Sequence, residues 1–162
     1  MKEVSILLTK YSDWISNMVY VLCGRGYTHA SISLEENADT YYSFNYLGFA
    51  EETIHKHRKR GVKKSRCFRV KISDQSYENI RQRIQDIEQE RNTYKYTRLG
   101  VLCCILHIPF HVNRRYFCSQ FVAELLETSG AMQLSRPSNY FLPNHFLSLM
   151  EDNRCQVIDN VV

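Results

Sequence analysis

The chain's sharpest chemical feature is a cysteine at the start of a helix-forming run. In Tyr116-Phe117-Cys118-Ser119-Gln120-Phe121-Val122-Ala123, the residues Phe121, Val122, Leu125 and Leu126 predict an amphipathic helix from Phe117 to Ser129, closed by Gly130. Cys118 falls on or just before its first turn. A thiol there meets unpaired backbone N–H groups and the positive end of the helix dipole, and both favour the nucleophilic thiolate. A buried structural cysteine would occupy the same place, so spacing alone leaves both roles open. A catalytic thiolate also needs a base. His29 opens a predicted strand within Tyr27-Thr28-His29-Ala30-Ser31-Ile32-Ser33, a defined place from which a side chain can be aimed at a neighbouring helix. His55 and His57 sit in a charge run and read as solvated. His107 and His111 flank Pro109, which breaks the helix that would align them as a metal pair, so no metal site is expected.

The elements that must position these groups follow from the hydrophobic pattern. Val4–Leu8 is a short apolar run that predicts a buried strand. Ser12 and Asp13 predict a helix start, followed by Trp14, Ile15, Met18, Val19 and Leu22 at helical spacing, with Gly24 and Gly26 as the stop. Thr28–Leu34 and Thr40–Leu47 read as a hairpin across a polar turn at Glu35 to Asp39. Cys67–Ile72 alternates as a half-buried strand. Asp74 to Arg91 predicts a polar helix with Ile80, Ile84 and Ile87 inward. Leu99 to Ile108 is apolar all round and predicts a buried helix ended by Pro109, packed under the Cys118 helix. A short helix near Asn144 to Met150 and a last strand at Cys155 to Ile158 complete an α+β class, a small antiparallel sheet packed against helices.

Three segments taken together resemble a known family. Thr28-His29-Ala30-Ser31-Ile32-Ser33, Tyr42-Ser43-Phe44 and Phe117-Cys118-Ser119-Gln120-Phe121-Val122 resemble the circularly permuted NlpC-type, papain-like cysteine hydrolases, the YiiX-like group related to the lecithin:retinol acyltransferase fold. In that family the histidine strand precedes the cysteine helix, as His29 precedes Cys118 here. The resemblance covers most of the chain, includes Pro143-Asn144 as a late helix start, and implies one hydrolase domain over residues 1–162. It implies Cys118 as nucleophile and His29 as general base. It also implies a polar residue on the following strand to orient the imidazole. Ser43 falls best on that position, with Asn45 on the same face of the strand. A serine there departs from the Glu, His or Asn of many relatives, since a hydroxyl lacks the charge that stabilises an imidazolium. Tyr27 and Tyr116 flank the two reacting residues and are candidates to line an acyl pocket, with packing in the core as the alternative. The implied reaction is cleavage of an amide, peptide or (thio)ester through an acyl-enzyme, with no cofactor. A lipid-directed acyltransferase or phospholipase-like enzyme, and a non-catalytic binding module on the same fold, are the competing readings.

Composition bounds these readings. The 162 residues suffice for one domain and its core, not for a second cofactor domain. Only 6 Gly and 3 Pro exclude collagen-like and low-complexity classes. No apolar run reaches the roughly 18 residues of a membrane span. The six cysteines, Cys23, Cys67, Cys103, Cys104, Cys118 and Cys155, form no CxxC pair and have irregular spacing. With no signal-peptide pattern at the N-terminus, they point to reduced thiols and a cytoplasmic setting. A net charge of +4 conceals a local excess. His55 to Arg66 holds seven Lys or Arg (Lys56, Arg58, Lys59, Arg60, Lys63, Lys64, Arg66) and no acid, and reads as a solvated loop or a site for an anionic partner. No nucleic-acid-binding signature accompanies it, so nucleic acid is the lesser candidate. The apolar stretch, followed by Arg114 and Arg115, admits a peripheral membrane contact.

Overall fold

A first strand buried on both faces organises the molecule. The computed structural model describes residues 1–22, 24–35, 38–153 and 155–162. Cys23 and the middle of the turn between Glu35 and Asp39 lie outside the described residues. The elements run β1 (Lys2–Thr9), α1 (Trp14–Leu22), β2 (His29–Ser33), β3 (Thr40–Asn45), β4 (Gly48–Thr53), α2 (Ile54–Lys59), β5 (Ser65–Ile72), α3 (Asp74–Gln89), β6 (Lys95–Tyr96), α4 (Arg98–Ile105), β7 (Arg115–Tyr116), α5 (Cys118–Thr128), a 3-10 turn at Ser138–Tyr140, α6 (His145–Asp152) and β8 (Gln156–Asp159). Six strands form one sheet in the order β4-β3-β2-β1-β5-β8, and each pairing in it is antiparallel. The fold is α+β.

Strand side chains alternate between faces. Val4, Ile6 and Leu8 of β1 therefore join Ala30, Ile32, Phe44, Phe68 and Val70 on one face, against Ile80, Ile84 and Ile87 of α3, Phe121, Val122 and Leu125 of α5, and Phe146 of α6. Leu7 points the other way, to Tyr41 and Cys67, with Ile54 of α2 and the C-terminal Ile158, Val161 and Val162 over them. The helix termini follow local chemistry. Asp13 Oδ1 accepts from Ser16 N at 3.0 Å at the start of α1, Ser73 Oγ from Ser76 N at 3.0 Å for α3, and Thr97 Oγ1 from Gly100 N at 3.0 Å for α4.

Three sequence expectations are corrected. The run His55 to Arg66 is not a loop throughout: Thr53 Oγ1 accepts from Lys56 N at 3.2 Å, which caps α2 through its first half. That helix follows directly on β4, a strand that the sequence pattern had not marked. The cations of this run are largely engaged within the fold. Arg60 pairs with Glu52, Arg66 with Asp159, Lys64 lies over the Tyr27 ring, Lys56 donates to the Glu51 carbonyl and Arg58 to that of Val161. The apolar helix α4 ends before Pro109. His107 takes a left-handed conformation (φ 56°) and its N–H bonds the Cys104 carbonyl, so the chain has left the helix before the proline is reached. Nor is α4 buried all round. Val101, Cys103 and Cys104 face inward, whereas Leu99, Leu102 and Leu106 are exposed.

Candidate active site

Cys118 stands at the first position of α5, after an N-cap, Phe117, that has extended backbone and makes no side-chain cap bond. The first-turn amides are thus left for the thiol and for a ligand. The Cys118 thiol interacts with the His29 imidazole and with the backbone of Ala30 and Ser119. Burial resists the thiolate here, but these interactions and the His29 charge outweigh it and hold the thiol below its ordinary pKa. His29 opens β2, where Thr9 is its partner in β1, and the sheet fixes its backbone. Burial disfavours its cation too. The Glu52 carboxylate and the Cys118 thiolate together overcome that cost and raise the imidazole well above its usual pKa. Both shifts favour transfer of the thiol proton to the imidazole.

The partner of His29 is Glu52, not Ser43. His29 Nε2 donates to Glu52 Oε2 at 2.7 Å, which leaves Nδ1 for the thiol. Glu52 is buried near the end of β4, opposite Tyr41 of β3. Burial opposes its negative charge, but His29, His57 and the Asn45 amide outweigh that, and its pKa falls to about 2. Asn45 Nδ2 reaches Glu52 Oε1 at 3.4 Å and Arg60 Nη1 reaches the same oxygen at 3.2 Å. Ser43 instead ties two strands together, its Oγ donating to the Ala30 carbonyl at 2.7 Å inside the sheet. The residue type that a triad requires was present nine positions further along the chain. The hydrophobic pattern does not mark β4, so it does not single out Glu52 as buried. The turn signal at Asn45-Tyr46-Leu47-Gly48, where Gly48 takes φ 108°, could have revealed β4 and with it Glu52.

A cavity of about 720 Å³ opens onto this constellation. Its walls include His29, Asn45, Glu52 and Cys118, together with Trp14 and the apolar cluster of Val19, Tyr96, Val101, Phe117 and Leu142. Asn45 is therefore at the cavity wall as expected from its strand face. Tyr27 and Tyr116 are not. Tyr27 is buried in the main core and its N–H bonds Asn144 Oδ1 at 2.7 Å. Tyr116 is packed among Phe44, Tyr94 and Phe121, and its hydroxyl donates to Glu124 at 2.6 Å. Both are packing aromatics.

The expectation that His57 is solvated is also overturned: its side chain has no exposed surface. The thiols of Cys67, Cys103, Cys118 and Cys155 are free. Among the described residues, no group of three or more His, Cys, Asp or Glu is placed to hold a metal ion, and no helix is long and apolar enough to cross a membrane. No protein-family model matches this chain, and no curated protein matches it.

Proposed function

We propose that the chain is a cysteine hydrolase of the circularly permuted, papain-like kind, with Cys118 as nucleophile, His29 as general base and Glu52 as the carboxylate that orients and stabilises the imidazolium. One observation carries this reading: His29 interacts both with the Cys118 thiol and with the buried Glu52 carboxylate, and all three line one cavity. In the reaction, His29 Nδ1 takes the Cys118 proton and the sulfur attacks an acyl carbonyl carbon. The resulting oxyanion accepts from the Cys118 N–H at the helix start. As the intermediate collapses, the imidazolium returns its proton to the departing amine, alcohol or thiol. Water, deprotonated by His29, then cleaves the thioester and frees a carboxylic acid. Glu52 stays anionic throughout. A reducing, cytoplasmic setting suits a free catalytic thiol.

A second reading, acyl transfer on a lipid substrate, draws on a separate observation. α1, which lends Trp14 and Val19 to the cavity wall, exposes Trp14, Val21 and Leu22, and α4 with its C-cap exposes Leu99, Leu102 and Leu106. The binding-module reading draws on Ser43 as a weak orienter and on the basic run His55 to Arg66, and Glu52 weakens the first of these grounds.

A series of aryl esters and thioesters with acyl groups of increasing length tests the proposal. The expected result is turnover that is lost in Cys118→Ser, with an acyl adduct on Cys118 seen by intact-mass measurement. Turnover that survives Cys118→Ser would reject it. Sedimentation with anionic vesicles separates the lipid-directed reading, which requires the protein in the pellet.

A further inference from the structure

Behind Glu52 lies a second imidazole that the reaction above does not use. The chain places it there by a short excursion. β4 ends on Glu52 and Thr53, Thr53 caps α2, and this short helix returns His57 and then, at its C-cap, Arg60 to the carboxylate. Tyr11, from the loop after β1, completes the group. Its hydroxyl lies 2.5 Å from His57 Nδ1, and the Arg60 guanidinium interacts with the same oxygen. Arg60 also donates to Glu52 Oε1 at 3.2 Å. His57 Nε2 is buried without a hydrogen-bond partner and faces Glu52 Oε2 across 3.9 Å.

Donor counting fixes the protons in this ring. A guanidinium can only donate, so the Tyr11 oxygen accepts from Arg60. The one hydroxyl proton of Tyr11 is then free for His57 Nδ1, and the arrangement in which Nδ1 accepts it is the one that also turns a donor toward Glu52. A neutral imidazole that accepts at Nδ1 carries its proton on Nε2, the atom aimed at Glu52. The alternative tautomer would point a lone pair at the carboxylate and repel it. The groups that face His57 are Glu52 from β4, His29 from β2, Tyr11 and Arg60. Burial first, then the neighbouring His29 and Arg60 charges, hold it neutral with a pKa of about 4, against the pull of Glu52.

Building on the proposed hydrolase, we propose that His57 is a positioning residue: Tyr11 and Arg60 lock it as the Nε2–H tautomer, and its N–H dipole holds the Glu52 carboxylate on His29. Two imidazoles thus share one carboxylate with divided duties, His29 carrying the charge and His57 staying neutral. His57 does not line the cavity, so its effect falls on the thiol–imidazole pair and not on substrate binding.

Imidazole nitrogen NMR on the whole protein, labelled at histidine, tests the ring without any substrate. Between about pH 6 and 8 the expected spectrum shows His57 neutral, protonated at Nε2 and unprotonated at Nδ1, and Tyr11→Phe disturbs that assignment. A His57 protonated at Nδ1, or cationic at pH 7, overturns the proposal. The functional arm compares His57→Gln, which keeps a donor near the Nε2 position, with His57→Leu, which has none. The expected result is a rise in the apparent Cys118 pKa toward the roughly 8.5 of a free thiol in His57→Leu, read by alkylation rate against pH. His57→Gln should lie near wild type. In turnover, kcat should fall about tenfold or more in His57→Leu with KM unchanged. Equal thiol titrations in wild type and His57→Leu would overturn it. Should His57→Leu not fold, the tautomer assignment and the Tyr11→Phe alkylation profile decide in its place. If the native protein turns over no acyl substrate, the hydrolase reading fails, while the tautomer and thiol titrations still judge the ring.

Discussion

At the scale of single residues, charge separates Glu52 from Ser43. Both are buried polar groups on neighbouring strands near His29, yet only the carboxylate can stabilise an imidazolium. Glu52→Gln preserves size and an acceptor oxygen but removes that charge. The expected outcome is a fall in kcat/KM of about 10²-fold or more. The alkaline limb of the pH profile should also move down, because the His29 cation loses its support. Ser43→Ala removes the donor to the Ala30 carbonyl. Its expected signature is a loss of stability of about 1–3 kcal/mol with both pH limbs in place. Profiles measured on the two variants check this directly. Limbs that move in Ser43→Ala and stay fixed in Glu52→Gln would return the orienting role to the serine. The sequence showed the thiol and the base because each lies in a local pattern, a helix start and a strand start. The carboxylate has no such pattern. What makes Glu52 special is burial against His29 and Arg60, and that arises only once β4 is folded back on β3.

At the scale of elements, α2 shows how a charge-rich segment can carry a buried group. The string His55-Lys56-His57-Arg58-Lys59-Arg60 has no apolar face to announce burial. This short helix is nevertheless enough to turn His57 inward while Lys56, Arg58 and Lys59 stay out. This burial has a thermodynamic consequence with a definite sign. An unfolded histidine titrates near 6.5, whereas folded His57 is held to about 4. Between those values the unfolded chain binds a proton that folded His57 does not, so this residue lowers stability as pH falls, by up to about 1.4 kcal/mol per pH unit. His29 acts oppositely: its raised pKa contributes stability that is full below about 6.5 and lost as pH rises through the folded value. Glu52, held to about 2, gives stability that is lost below about 4.3, as pH falls toward 2. Denaturant midpoints from pH 7 to pH 4.5 should therefore decline less steeply in His57→Gln than in wild type. Parallel curves for the two proteins would show that His57 takes up its proton in the folded state as easily as in the unfolded chain.

At the scale of the whole molecule, the strands and helices with a regular apolar period were legible, among them β1, β2, β3, β5, α3 and α5. The closures between distant segments were not, because a tether leaves no period. One such tether bears on the site. Asn144, just before α6, accepts from the Tyr27 N–H across 117 positions of sequence, two residues ahead of His29. The residues before it, Leu142 and Pro143, line the cavity. The contact therefore holds that cavity wall against the strand that carries the base. Gly26 makes room for it: a Cβ at that position would lie 2.1 Å from Asn144 Oδ1. Gly26→Ala must displace the amide and break its bond to Tyr27, at an expected cost of about 1–3 kcal/mol. Because the displaced segment carries Leu142 and Pro143, KM for a long acyl substrate should rise more than kcat falls. The Asn144→Ala background supplies the control. With the amide gone, the three atoms nearest the added methyl are removed, so the second substitution should cost far less than it does alone. Denaturation of the four proteins in this cycle measures the coupling. Costs that simply add would mean that Gly26 and Asn144 act independently, and that the cavity wall is held by something other than this contact.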